Sequence, residues 1–158
     1  MRENGRLAHT LATAFGLGYV PYIPGTFASL VTALAVALLH RASGSATLQL
    51  GAALLLLLLP VSIWASARVA RREARSDPSH VVIDEVVGQV FCLLWVPFSW
   101  TFLALGFVAF RAFDILKPYP IKKVEQLRGG MGIVCDDLIA GLYAGLLLRI
   151  VYAFTSQS

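Results

Sequence analysis

Residues 46–67, ATLQLGAALLLLLLPVSIWASA, form a run with no charged side chain. The run matches the ~20 helical residues that the hydrocarbon core of a bilayer requires. A segment of this kind must satisfy its own backbone hydrogen bonds, so it can only be a helix, and Pro60 is a kink that membrane helices tolerate. Upstream, FASLVTALAVALLH (Phe27 to His40) is a shorter apolar run. It pairs with the first through RASGS (Arg41 to Ser45), whose Ser and Gly are turn signals. LIAGLYAGLLLRIVYAF (Leu138 to Phe154) supplies another crossing. At 58% hydrophobic and 14% charged residues, with mean hydropathy +0.73, the 158 residues lack the polar surface a water-soluble domain of this size needs. Residues 1–158 read as one domain, with no internal repeat and no linker.

Val86 to Phe110 can be read as one long crossing or as a hairpin broken at VPFSW (Val96 to Trp100), where Pro97 and Ser99 mark a turn. Charge decides between them. In the hairpin reading the N-terminus is inside and the C-terminus outside. Eleven basic residues then fall inside: Arg2, Arg6, Arg68, Arg71, Arg72, Arg75, Arg111, Lys117, Lys122, Lys123 and Arg128. Only Arg41 and Arg149 fall outside. Such a bias is what the positive-inside rule produces. The expected fold is an all-α polytopic membrane bundle of about five membrane-embedded helices, with short helices and the polar motifs gathered on the cytoplasmic face. MRENGRLAHTLATAFGLG lacks the apolar core of a signal peptide, so the membrane segments direct insertion. The net charge of +4 and pI near 9.4 follow from the same basic segments, which suit anionic lipid. No interleaving of aromatic and basic residues argues for nucleic acid.

Six of the nine acidic residues lie in three clusters: Asp77, Asp84 and Glu85; Asp114; Asp136 and Asp137. Each is expected at the cytoplasmic end of a helix, and Asp136 with Asp137 is expected to open one. Ionised carboxylates beside hydrocarbon are costly, and an oxygen-rich set of this kind suits a hard cation such as Mg²⁺. Gly88, Gly141 and Gly145 would let the helices carrying them approach closely. YIPGTFASL (Tyr22 to Leu30) places Thr26 at a helix N-terminus, where backbone N–H groups favour anions. Arg111 and Lys117 supply cations suited to phosphate. His9, His40 and His80 are scattered without a zinc spacing. Cys92 reads as a small hydrophobe, and Cys92 with Cys135 makes no disulfide framework. These features together suggest Mg²⁺-assisted phosphoryl chemistry on a lipid. An ion-coupled small transporter using the carboxylates as cation sites is the alternative from another class.

Four segments in order resemble the phosphatidylglycerophosphatase A family: GLGYVPYIPGTFASL (16–30), DPSHVVIDEVVGQ (77–89), FRAFDILKPYPI (110–121) and GGMGIVCDDLIAGLYA (129–144). Ala28 stands where the family favours glycine. The resemblance implies a bacterial inner-membrane, Mg²⁺-dependent phosphatase that converts phosphatidylglycerophosphate to phosphatidylglycerol, with its active site facing the cytoplasm. On that basis Asp84, Glu85, Asp136 and Asp137 are expected to hold the metal. Asp77, Asp84 and Asp114 form the expected catalytic set, with Asp77 or Asp114 as general base. Thr26, Arg111 and Lys117 are expected to bind the substrate phosphate. The partners implied are a phospholipid substrate and the bilayer, and no oligomeric state follows. Attack by water and an aspartyl-phosphate intermediate are both compatible with these residues. Neither a Cys-x₅-Arg pattern nor the DGxxAR pattern of lipid phosphotransferases is present.

Overall fold

A computed structural model describes residues 3–127 and 129–156; Arg2 and Arg128, two of the basic residues weighed above, lie outside the described residues. The chain order is α1 (Glu3–Ala12), α2 (Pro24–Ser43), α3 (Thr47–Glu73), α4 (Ile83–Leu93), α5 (Trp100–Leu116), α6 (Ile121–Val124) and α7 (Gly130–Thr155). Single 3₁₀ turns sit at Leu17–Tyr19 and Gly44–Ala46. No strand occurs among the described residues.

The helix ends follow local chemistry. Pro24 opens α2, where its fixed φ suits the first helical position and its missing N–H is not needed. Ser99 caps α5, its Oγ accepting from the Phe102 N–H at 3.0 Å. Val86 to Phe110 is therefore broken between Leu93 and Trp100, as the hairpin reading expects. The α2–α3 turn and the α4–α5 turn meet at one end of the bundle, where the His40 ring stacks on Phe98 at a centroid distance of 4.1 Å.

Two expectations are corrected, and one helix had no counterpart among them. The helix α1 was not legible as such; it packs on α3, with Ala12 in a cluster with Ala65, Val69, Ile83 and Ile133. The helix α3 continues past Ala67 to Glu73, so Arg68, Arg71 and Arg72 are helical. The helix α7 begins at Gly130 rather than near Leu138, which places Asp136 and Asp137 in its second turn and removes them from any capping role.

The helix α7 is the axis of the fold, packed against α3, α4 and α5. A Cβ on Gly141 would strike the Gly88 carbonyl, and one on Gly88 would strike the Phe110 ring and the Asp137 carbonyl. The small residues thus set how closely α4 and α7 cross. Phe110, Ile121, Ala140, Ala144 and Leu148 close the core below that crossing.

Pro24–Glu73, which holds α2 and α3, and Gly130–Thr155 are long and apolar enough to cross a membrane. Only 22% and 28% of their most apolar windows are buried within the protein. Leu34, Leu38, Leu56, Leu57, Leu147 and Ile150 project outward. Water would penalise so much exposed apolar surface and lipid would not, which associates the chain with a membrane. With 11 residues, α4 is about 16 Å long, shorter than the ~30 Å hydrocarbon core.

Candidate active site

The acidic residues gather at the end of the bundle away from the two turns. Asp84 and Glu85 stand in the first turn of α4, where the helix N-terminus favours negative charge. Asp137 arrives from α7 across the Gly88 contact. One carboxylate oxygen from each of Asp84, Glu85 and Asp137 lies within 4.8 Å of the other two. Asp84 and Asp137 are buried, and Asp84 Oδ1 and Glu85 Oε2 find no hydrogen-bond partner among the described residues.

Two cations border this trio. Arg111 Nη1 contacts Asp114 Oδ2 one turn along α5 and lies 3.8 Å from Glu85 Oε1. Gly25, in the first turn of α2, sits directly against this pair: a Cβ there would strike the Glu85 carboxylate and crowd the Arg111 guanidinium. Half-buried Thr26 follows it on the same turn. Lys117 takes a left-handed backbone conformation at the end of α5 (φ 42°). Its Nζ lies 2.8 Å from Asp136 Oδ2 and 2.9 Å from Glu125 Oε1. Burial works against its charge, but hydrogen bonds to Asp136 and Glu125 win, and its pKa rises above the ordinary lysine value. Asp136 also accepts the Asp137 N–H through Oδ1 at 3.0 Å.

Asp77 stands in the loop before α4, with solvent on one side. Loss of water to the surrounding protein pushes its carboxyl above the usual value, Lys117 pulls it back, and Glu125 and Asp114 push it up again. Asp77 thus feels the charges of Lys117, Glu125 and Asp114.

The fold therefore brings the six expected acids to one place but sorts them. Asp84, Glu85 and Asp137 form an under-compensated trio; Asp136 and Asp114 are each engaged with a cation. Sequence reading missed Glu125, the second partner of Lys117, because it is distant from every acidic cluster along the chain. It also missed Gln89, one turn beyond Glu85, which is fully buried with both amide atoms unpartnered among the described residues.

Three buried or half-buried carboxylates, with one oxygen from each within 4.8 Å of the others, suit a divalent cation held by oxygen, since Arg111 and the start of α4 offset their mutual repulsion only in part. An apolar cavity of about 470 Å³ lies elsewhere, at the end of the two turns, lined by His40, Leu94, Phe98 and Arg149 among others. It has no part in the carboxylate cluster.

A model of the family described as phosphatidylglycerophosphatase A matches residues 10–152. A Bacteroides thetaiotaomicron protein, provisionally named a phosphatidylinositol-3-phosphatase, is 36% identical over 155 residues, covering 95% of this chain and 96% of its own. Phosphatidylglycerophosphatase A of Escherichia coli is 34% identical over 142 residues, covering 88% of this chain and 80% of its own. The Haemophilus influenzae protein of that name is also 34% identical, covering 89% and 85%. No solved structure matches the chain significantly.

Proposed function

The chain belongs to the phosphatidylglycerophosphatase A family and is a phosphatase, and we propose that it hydrolyses phosphatidylglycerophosphate to phosphatidylglycerol and phosphate with the aid of Mg²⁺. The observation that carries the metal is the trio Asp84, Glu85 and Asp137, with its unpartnered oxygens at Asp84 and Glu85. These three residues would hold the ion, with Asp136 beside them. When bound, Mg²⁺ would offset negative charge on the phosphoryl oxygens.

The other roles belong to the chain's own side chains. Arg111, oriented by Asp114, presents its guanidinium beside the trio and binds phosphate oxygens. Lys117, held charged by Asp136 and Glu125, supplies a second positive group. Gly25 and Thr26 bring the start of α2 against Glu85 and Arg111 and close the headgroup pocket. Asp77, in the loop before α4 and open to solvent, takes the proton from attacking water at its carboxylate. Asp114, already paired with Arg111, serves to position that arginine.

The hydrophobic helices keep the acyl chains in the bilayer. The turns at Gly44–Ala46 and Leu94–Ser99 would face outward and the carboxylates the cytoplasm of a bacterial inner membrane, in a multi-pass arrangement. The basic residues on the carboxylate side support this orientation. Neither the family nor the relatives support the ion-coupled transporter.

A second lipid is also a candidate, because the relative with 36% identity is named for phosphatidylinositol 3-phosphate. The test is phosphate release by detergent-purified protein from both lipids, with Mg²⁺ and with EDTA. Mg²⁺-dependent release that favours phosphatidylglycerophosphate is expected. Equal or greater release from phosphatidylinositol 3-phosphate would reassign the substrate. Undiminished release in EDTA would remove the metal from the reading.

A further inference from the structure

We propose that His9, Glu73 and His80 form a second metal site, for a transition ion of the zinc type, which ties α1 to the end of α3 and to the loop that carries Asp77. His9 is far in the chain from Glu73 and His80, which are seven residues apart, yet one donor atom from each of the three lies within 4.8 Å of the others. Tetrahedral zinc with donors about 2.0–2.2 Å away brings them to roughly 3.5 Å from one another. Glu73 Oε1 and His80 Nε2, at 3.1 Å, already stand that close. His80 Nε2 is shielded from solvent yet makes no properly directed hydrogen bond among the described residues, even to that carboxylate. The two atoms are close without being aligned as donor and acceptor, which leaves both able to turn toward a shared centre.

The surroundings hold the imidazoles in place. The Tyr19 hydroxyl is 2.9 Å from His9 Nε2, and the Tyr19 ring stacks on His80 at 5.7 Å with planes 4° apart. The His80 backbone is fixed by Gly18, where a Cβ would collide with the His80 carbonyl. Two residues later, Val82 donates its N–H to the Ala12 carbonyl at 2.9 Å. His9 also lines a cleft of about 570 Å³ with Arg6, Arg68, Arg71 and Arg72, which opens the site to solvent. Those arginines oppose a cation held by charge alone, such as Mg²⁺ or Ca²⁺. A metal bonded through imidazole nitrogen depends less on the local potential, and two imidazoles with one carboxylate favour Zn²⁺ and its neighbours in the series.

The test is a titration of tag-free, EDTA-stripped full-length protein in detergent with Co²⁺, followed by displacement with Zn²⁺. One equivalent of Co²⁺ should give the visible absorption of a low-symmetry nitrogen-ligated site, and Zn²⁺ should abolish it. His9→Gln, Glu73→Gln and His80→Asn should each weaken Zn²⁺ binding about 100-fold or more, since even outer-shell changes cost 10–100-fold. Asp84→Asn should leave it unchanged. In an Asp84→Asn background, Zn²⁺ should also raise the thermal midpoint, and adding His9→Gln, Glu73→Gln or His80→Asn should abolish that rise, with folding checked by circular dichroism. No visible band, a band that persists in His80→Asn, or a band lost in Asp84→Asn would each overturn the site.

Discussion

Asp84→Asn should separate the function of the carboxylate trio from its cost. The substitution keeps the side chain's shape and removes one charge. At the 4.8 Å limit of the cluster, a like-charge pair costs about 3.5 kcal/mol at an effective dielectric of about 20. Proton uptake and Arg111 relieve part of this in the metal-free protein. The net gain from the substitution is therefore below one pair's worth, about 1–3 kcal/mol. For a chain of this size each kcal/mol moves the thermal midpoint by about 2–4 °C. Mg²⁺, bound as proposed, would reverse the balance. At a hundred times its dissociation constant a ligand stabilises the native state by about 2.7 kcal/mol, and the variant forfeits most of that. Thermal unfolding in detergent should thus show the variant above the parent in EDTA and level with or below it in Mg²⁺. Phosphate release should fall by about 100-fold or more, the usual cost of removing one preorganised electrostatic group. A parent more stable than the variant in EDTA, or a difference between them that Mg²⁺ does not change, would refute the reasoning.

Three further outcomes are expected. Gly88→Ala should cost about 1–3 kcal/mol of stability and depress activity further than stability, because the new methyl meets Phe110 and the Asp137 carbonyl; melting and phosphate release measured together check this. Arg111→Ala should cost about 3 kcal/mol or more, since Glu85 and Asp114 lose their shared cation, and Arg111→Lys should recover part of that loss in the same melting assay. In a protein with Cys92 and Cys135 replaced by alanine, Ser99→Cys should react with an impermeant maleimide from outside the cell. Ser79→Cys should react only after permeabilisation, and the reverse pattern would invert the proposed orientation.

The elements with a one-dimensional signature were legible in the sequence. Apolar length gave α2, α3 and α7, and Pro97 with Ser99 marked the break that separates α4 from α5. Gly88 and Gly141 could be read as a close-contact stripe, and they form the crossing that delivers Asp137 to Asp84 and Glu85. The start of α7 was not legible, because GGMGIVC carries three glycines that argue against helix. Its early turn forms where Gly130 packs against the α3 backbone at Ile63 and Ala67, a contact made by tertiary structure alone. The sorting of the acids was equally hidden. Asp136 and Asp137 are neighbours in sequence, yet their side chains have different partners, Lys117 for one and the trio for the other. Histidine spacing likewise gave no hint of the His9–His80 meeting, which depends on the chain returning past α1 after α3.

Arg111 and Lys117 are not waiting free for an anion: each already bridges two carboxylates, Glu85 with Asp114 and Asp136 with Glu125. An arriving phosphate must therefore compete with residues of the protein for the same donors. A divalent ion held by the trio, as proposed, would draw Glu85 away from Arg111 and remove one of those competitors. Cation and phosphate would then bind with positive heterotropic coupling, and by linkage each would tighten the other by the same factor. The polar end of the bundle would then behave as an ion-exchange device, more receptive to the pair than to either ion alone.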